Sequence, residues 1–223
     1  MQEMFTNEKC WFKGTSICTR DDCKDCYIYN RMKMHFDYAG LPENKQITIR
    51  LTPDACDRNA YNELANIKRN IYDFVNEGRS LYLCGHTAGN GKTSWAIKLL
   101  QSYLLQIYDV KSCEDRPALF ISVANLLIAL KDFNNPLPKE YLQAIKDADL
   151  VVWDDIAITG LSQYDYLQLY SFIDTRIFNG KSNIYTSNRI NDKELQDYVG
   201  DRLTSRILSK DTTIIELKGR DNR

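Results

Sequence analysis

The sequence has no long apolar run and no excess of charge of either sign. No stretch of its 223 residues approaches the length of about 20 apolar residues that crosses a bilayer. Met1 to Trp11 carry no apolar run of the kind found in a signal peptide. The net charge is −1, so no global attraction to nucleic acid or to an anionic membrane is expected. We therefore expect a soluble, cytoplasmic protein without membrane partners.

The chain has only two histidines but seven cysteines. In a reducing compartment, cysteines serve more often as metal ligands or buried thiols than as disulfides. Cys10, Cys18, Cys23 and Cys26 lie within seventeen residues, and the last two form a C-x-x-C pair. Four thiolates can hold Zn²⁺ tetrahedrally, and the metal would stabilise a segment that has few aliphatic side chains. We predict a Cys-rich, zinc-binding module over residues 1–40, with an iron–sulfur cluster or a metal-free arm as alternatives.

Apolar strand patterns alternate with amphipathic helical patterns through the rest of the chain. The strand patterns cover residues 81–84, 117–123, 150–156, 182–188 and 212–217. This alternation predicts an α/β fold with a five-stranded parallel sheet flanked by helices. Alternating apolar residues within 44–53 predict one more strand at the entry to this domain, and helices are predicted over 27–38 and 61–75.

A glycine-bearing loop, Gly85-His-Thr-Ala-Gly-Asn-Gly-Lys-Thr-Ser94, follows the first of these strands and precedes a helical pattern. This is the context of a phosphate-binding P-loop, in which Lys92 would reach the β- and γ-phosphates and the Thr93 hydroxyl would ligate Mg²⁺. The usual pattern has a glycine where this chain has His86, so either the loop is one residue longer or His86 takes that place. A structural glycine-rich turn is the alternative. The predicted nucleotide-binding residues are His86, Thr87, Ala88, Gly89, Asn90, Gly91, Lys92, Thr93, Ser94 and Asp154.

Two carboxylates end the third strand pattern, Leu150-Val-Val-Trp-Asp154-Asp155. An apolar strand that ends in two carboxylates is typical of a Walker B element. Asp154 would hold the Mg²⁺ shell, and Asp155 would orient and deprotonate the attacking water. A buried strand followed by an acidic turn is the alternative.

Two further signals follow along the chain. Asn188 stands at the end of the fourth strand pattern, where a polar side chain could reach between the P-loop and the Walker B pair; Thr186 and Ser187 are alternates. Arg202 and Arg206 are four residues apart in a helical pattern and therefore share a face. They are candidates for arginine fingers that reach a neighbouring subunit's γ-phosphate, or for surface ion-pair residues.

Together these motifs resemble AAA+ ATPases of the DnaC/DnaI helicase-loader type, particularly those of bacteriophages of Gram-positive bacteria. The resemblance covers residues 45–223, and the Cys-rich segment looks like the small helicase-binding module of some loaders. It implies a helicase-interacting module over 1–40 and an AAA+ ATPase domain over 41–223. By motif match, the residues that act on ATP are Lys92, Asp155, Asn188, Arg206 and, beside it, Arg202. The chain departs from the family pattern at His86 and at Asp155, where glutamate is common.

The resemblance also implies partners and cofactors. ATP, with Mg²⁺, would bind between side-by-side copies of the ATPase domain, and hydrolysis to ADP would help release. The N-terminal module would grip a ring-shaped DnaB-type replicative helicase and deliver it to single-stranded DNA. Lys131 and Phe133 offer a cation and an aromatic ring for such a strand, although loop packing is an alternative use of Phe133. Other candidate functions are an AAA+ regulator of transposition or initiation, a small-molecule kinase, and a non-hydrolysing zinc adaptor.

Overall fold

A computed structural model describes residues 10–13, 15, 18, 26–47 and 49–221. The helices are α1 (Tyr27–Tyr38), α2 (Arg58–Arg69), α3 (Ile71–Asn76), α4 (Lys92–Ile107), α5 (Val123–Leu130), α6 (Lys139–Asp147), α7 (Gln163–Phe178) and α8 (Asp192–Ile207). The strands are β1 (Ser80–Cys84), β2 (Ala118–Ser122), β3 (Leu150–Asp154), β4 (Ser182–Ser187) and β5 (Thr212–Glu216). None of the helices in the described ranges has the length and apolar character needed to cross a membrane.

The five strands form one parallel sheet in the order β2-β3-β4-β1-β5, which confirms the predicted fold class. Because β4 lies between β1 and β3, its carboxyl end separates the loop after β1 from the loop after β3. All three loops leave the same edge of the sheet, since the carboxyl ends of parallel strands meet there. The predicted P-loop, the Walker B carboxylates and the predicted sensor segment therefore converge.

Helices pack on both faces of the sheet, and β1 and β3 accordingly read as nearly continuous apolar runs. Leu81 and Leu83 of β1 pack under α1 to α4, while Tyr82 and Cys84 face α5 to α8. All four side chains are fully buried. Two apolar layers therefore hold the edge that carries the site, one on each side of β1.

The N-terminal helix shares the first of these layers. Met32 and Phe36 of α1 are fully buried in the same cluster as α4, and Phe12 packs there as well. The Phe120 amide of β2 donates to the Ala39 carbonyl at 2.7 Å, so the chain after α1 also covers part of the β2 edge. A domain boundary at residues 40/41 stays a prediction.

The strand predicted within 44–53 is wrong. The chain forms a short 3₁₀ turn over Glu43–Lys45 and then runs without regular structure as far as it is described. Side chains of α4 satisfy its carbonyl groups: Gln101 Nε2 donates to the Lys45 carbonyl at 2.7 Å, and Lys98 Nζ donates to the Ile49 carbonyl at 2.9 Å. These bonds take the place of a strand partner.

The helix predicted over 61–75 is two helices. The chain breaks at Asn70, which leaves helical geometry between α2 and α3. Asn70 Nδ2 donates to the Asn66 carbonyl at 3.1 Å, a local side-chain bond that competes with the helical ladder. The break lets Ile71 and Phe74 turn into the core beside Leu64.

Candidate nucleotide-binding site

The loop after β1 has the backbone of a phosphate cradle. It runs from Gly85 to Gly91, and three of its glycines, Gly85, Gly89 and Gly91, have positive φ angles of 151°, 73° and 100°. A side chain is strained in this region, so the curl of the loop depends on glycine. Gly91 is the N-cap of α4, which directs the positive end of its helix dipole into the loop.

Gly85, rather than His86, makes the tight turn that leaves the strand. A Cβ at position 85 would overlap the Leu217 carbonyl oxygen. The His86 side chain instead lies at the surface, with its Nε2 atom 3.8 Å from Oε1 of Glu194 on α8. The loop therefore begins one residue earlier than in the usual pattern, which was the first of the two options open from the sequence.

Lys92 lies within this cradle, and its side chain is buried. Its Nζ donates to the Gly85 carbonyl at 2.8 Å, to the Thr87 carbonyl at 2.9 Å and to Asn90 Oδ1 at 2.9 Å. Phosphate oxygens accept hydrogen bonds from an ammonium group, as these three loop oxygens do. The lysine is therefore held where an incoming phosphate can replace loop acceptors.

Asp154 joins the P-loop helix to the strand beside it. Its Oδ1 accepts from the Thr93 hydroxyl at 2.8 Å and from the Thr186 hydroxyl at 2.8 Å. Thr186 Oγ1 also accepts from the Asp155 amide at 2.9 Å. Thr186 is 2% exposed, so the network has a buried centre between β1 and β3, while Thr93 and Asp154 are half-buried. One residue from each of three elements thus meets at a single carboxylate oxygen.

The oxygen atoms of Thr93 and Asp154 fit a magnesium site. Mg²⁺ prefers hard oxygen ligands and is usually held by one or two protein groups together with phosphate oxygens and water. The 2.8 Å separation of the two side chains brings a hydroxyl and a carboxylate to one point. A bound Mg²⁺ would neutralise charge on the phosphates of ATP.

Asp155 has an unusual backbone and a free face. Its φ of 56° lies in the left-handed region, which is uncommon for a residue with a side chain. The residue as a whole is exposed, although its carboxyl group is partly enclosed by its neighbours. Partial burial of the carboxyl and the adjacent Asp154 raise the pKa of Asp155, while Lys92 and Arg189 lower it. A carboxylate with an elevated pKa beside a phosphate site is suited to accept a proton from water.

Thr186, an alternate for the predicted sensor position, makes the contact with Asp154, the predicted Walker B carboxylate. Asn188 follows the strand and is half-buried. The next residue, Arg189, stacks on Tyr198 with its guanidinium 4.0 Å from the ring centroid. Its backbone carbonyl accepts from the Tyr82 hydroxyl at 2.7 Å. Asn188 and Arg189 therefore sit at the sheet edge just beyond Thr186.

The two predicted finger arginines lie on the last part of α8. Gly200 interrupts that helix with φ 75° and ψ 162°, and Arg202 and Arg206 follow the interruption together. Both side chains are exposed. Arg206 Nε lies 2.7 Å from Asp174 Oδ1 on α7. Within one chain, Arg206 therefore forms a surface ion pair, which was the alternative to the finger role. A role in a neighbouring subunit's site stays a prediction.

Three of the four predicted zinc ligands are described: Cys10, Cys18 and Cys26. Cys23 lies outside the described residues. Among the residues that are described, no group of three or more histidine, cysteine or acidic side chains is arranged to hold a metal ion. Cys10 and Cys18 pack against the first apolar layer.

Comparison with known proteins identifies similar folds. No family model matches this sequence, and no curated protein matches it. A crystal structure of the DnaC helicase loader is similar with a TM-score of 0.63 and 21% identity, over 75% of this chain and 94% of that one. A crystal structure of DnaI is similar with a TM-score of 0.58 and 23% identity, over 78% of this chain and 88% of that one.

An AMPPCP-bound DnaA from Aquifex aeolicus is similar as well, with a TM-score of 0.54 and 21% identity, over 77% of this chain and 50% of that one. At these identities the likeness establishes the fold. The carboxyl edge of that fold brings together Lys92, Thr93, Asp154 and Thr186. At the level of the fold, these structural neighbours confirm the resemblance to DnaC and DnaI that the motifs predicted.

Proposed function

We propose that this chain is an Mg²⁺-dependent ATPase that loads a ring-shaped, DnaB-type replicative helicase onto single-stranded DNA during replication. The observation that carries the ATPase part is the network in which Thr93 and Thr186 both donate to Asp154 beside Lys92. A glycine-rich structural turn has no need of a buried lysine and a shared carboxylate. The loader part draws on the likeness to a DnaC helicase loader and to DnaI.

In this proposal each residue has one task. Lys92 exchanges loop acceptors for phosphate oxygens, and Thr93 with Asp154 holds Mg²⁺. Asp155 faces the open side of the site and takes the proton of the attacking water, while Thr186 and Asn188 orient the carboxylates and that water. His86, Thr87, Ala88, Gly89, Asn90, Gly91 and Ser94 form the walls of the cradle.

The test of the ATPase is the substitution Lys92→Ala with rates measured in the presence and absence of helicase and single-stranded DNA. Loss of ATP binding and turnover in the variant is the expected result, since the phosphates lose their main cation. Wild-type rates in Lys92→Ala would remove the nucleotide site from consideration. Absence of hydrolysis in a wild type that still binds ATP would favour the nucleotide-switched zinc adaptor.

Self-association supplies the remaining charge at the γ-phosphate in this proposal. Arg206, with Arg202 beside it, would reach the ATP of a neighbouring copy, and Asp174 would release it on assembly. Arg206→Ala is expected to lower turnover by about a thousandfold or more, the contribution of an arginine finger, while isolated subunits still bind ATP. Equal turnover of Arg206→Ala and wild type at every protein concentration would exclude a finger in trans.

The partners can be tested directly. Co-purification with the replicative helicase of the same host separates a loader from an AAA+ regulator with another client, which the likeness to DnaA keeps in view. DNA contact is assigned to the loop after α5, where Phe133 is 81% exposed and Lys131 lies beside it. Binding to single strands that weakens with salt and with Phe133→Ala is the expected result.

The zinc module is proposed on the cysteine spacing alone. Metal analysis of the purified protein should find about one Zn²⁺ per chain, and Cys23→Ser with Cys26→Ser should release it. A protein that carries no metal, yet binds the helicase, would assign the N-terminal contact to a metal-free arm.

A further inference from the structure

Asn90 is a buried side chain in the loop between β1 and α4. It is 2% exposed, whereas His86 and Ala88 of the same loop are exposed. Both ends of its amide are used: Oδ1 accepts from Lys92 Nζ at 2.9 Å, and Nδ2 donates to the Leu217 carbonyl at 2.7 Å. Asn90 thus connects the P-loop lysine with a backbone group 127 residues further along the chain.

The Leu217 carbonyl is held firmly against the loop. The Leu217 amide donates to the Cys84 carbonyl at 2.8 Å, which continues the pairing of β5 with β1 by one residue. Gly85 approaches the same carbonyl so closely that a Cβ there would overlap it and lie 2.8 Å from Asn90 Nδ2. The contact is therefore a close-packed junction.

Residues 217–220, named here the C-terminal strap, are tied down at their other end. The Asp57 carboxylate accepts from the Lys218 amide at 2.7 Å and from the Gly219 amide at 2.9 Å, and Asp54 accepts from the Arg220 amide at 2.9 Å. Asp57 is 2% exposed, so these backbone donors stabilise a buried charge. The strap thereby joins the segment just before α2 to the P-loop.

Building on the proposed ATP site, we propose that Asn90 is a positioning residue that makes the ATP affinity of Lys92 depend on the C-terminal strap. Gly89 and Gly91 on either side of Asn90 both have positive φ, so the loop has little stiffness of its own. The anchor to Leu217 supplies that stiffness in advance, and a preorganised loop binds its ligand at a lower entropic cost. Anything that loosens the strap at Asp54 and Asp57 then weakens ATP binding.

The first test is Asn90→Ala, with affinity measured by titration of a fluorescent ATP analogue and Mg²⁺. The affinity is expected to fall about tenfold, because the loop loses the hydrogen bond to the Leu217 carbonyl that holds it in its binding conformation. Asn62→Ala, at an exposed position of α2, is the matched control. An Asn90→Ala protein that binds the analogue as tightly as wild type overturns the inference.

Amide hydrogen exchange of the C-terminal strap distinguishes coupling from a local distortion of the P-loop, because a local distortion would leave exchange in the strap unchanged. In Asn90→Ala the amides of Lys218, Gly219 and Arg220 should exchange faster, although they donate to Asp57 and Asp54 rather than to Asn90. In wild type, ATP should slow their exchange. Amides within β1 are the internal reference. Unchanged exchange across the strap would show that Asn90 acts on Lys92 only and would refute the coupling.

A double-mutant cycle completes the test. Asp57→Asn should weaken ATP binding, and Asn90→Ala should then have a smaller effect than in wild type, because both changes act on one connection. If Asp57→Asn does not fold, Asp54→Asn replaces it in the cycle, because Asp54 is less buried and accepts from the Arg220 amide of the strap. Fully additive effects would contradict the inference. A wild type that does not bind ATP refutes the nucleotide site itself, which separates that failure from failure of the coupling alone.

Discussion

Thr186→Val removes one hydroxyl from the centre of the candidate site and keeps the side-chain shape. The wild-type hydroxyl donates to Asp154 Oδ1 at 2.8 Å and accepts from the Asp155 amide at 2.9 Å. Valine leaves the Asp155 amide without this acceptor and Asp154 with one fewer donor. The substitution therefore tests whether β4 organises both carboxylates.

The expected cost follows from these two bonds. A hydrogen bond to a charged group contributes about 1.5–3 kcal/mol, and a buried N–H left without a partner costs about 1–3 kcal/mol. The lower ends apply, because Asp154 is half-buried and Asp155 is exposed, which gives about 2.5 kcal/mol. For a chain of this size that loss lowers the unfolding midpoint by about 5–10 °C. ATP turnover should fall about 10- to 100-fold, as when an orienting partner of a metal ligand is lost.

Calorimetry and a steady-state ATPase assay measure the two effects, and Thr186→Ser is the control. Serine keeps the hydroxyl and loses one methyl group, so its stability should fall by only about 1 kcal/mol with turnover close to wild type. If Thr186→Val and Thr186→Ser behave alike in both assays, the hydroxyl does not organise the carboxylates. The assignment of the orienting role would then return to Asn188.

Three further predictions concern single side chains. Asp155→Asn should lower ATP turnover by about a hundredfold or more, because the carboxylate that accepts the proton of water is lost. The variant should melt at the wild-type temperature, because asparagine tolerates the φ of 56°. An unchanged rate would mean that another residue is the base. Burial lowers the pKa of His35, and the nearby Arg31 lowers it further. Below the ordinary value of 6.5, the unfolded chain binds a proton that the folded chain does not, so stability decreases as the pH decreases. Urea unfolding should therefore give less stability at pH 5.5 than at pH 7, and His35→Phe should flatten that dependence; equal slopes would contradict the buried neutral imidazole. Arg176 is fully buried and donates to Asn183 Oδ1 and to the carbonyls of Ile145, Ala148 and Ser182. Arg176→Lys should cost about 3 kcal/mol of stability, whereas Arg58→Lys, at an exposed position, should cost none. Equal melting temperatures of the two variants would show that these hydrogen bonds of Arg176 do not stabilise the fold.

The fold class could be predicted from the sequence because short strand patterns alternate with helical patterns along the chain. The five predicted strands match β1 to β5 within one or two residues at each end. The extra strand predicted within 44–53 failed for a tertiary reason. Apolar residues do alternate in this segment, but Gln101 and Lys98 of α4 donate to its carbonyl groups. These partners lie far away in the sequence, so no local pattern predicts them.

The site divides in the same way. Lys92, Thr93 and Asp154 could be selected as candidate site residues because the loop, the strand end and their spacing are local features. The partner of Asp154 could not: Thr186 and Asn188 are both polar groups near the end of one strand, and the choice depends on which side chain faces between β1 and β3. That direction is fixed by register, which pairs Leu83 with Thr186 and Val152 with Ile184.

By itself, then, the sequence determined a glycine-rich loop after the first strand, an acidic strand end and the parallel sheet that carries both, because these follow from periodicity and residue type over short distances. Only the tertiary structure decided that Gly85 begins the loop, that Thr186 joins Asp154, and that Asn90 reaches Leu217. Those contacts bring together residues up to 132 positions apart, as 217 minus 85 gives. They arise from the pairing of β4 with β3 and of β5 with β1.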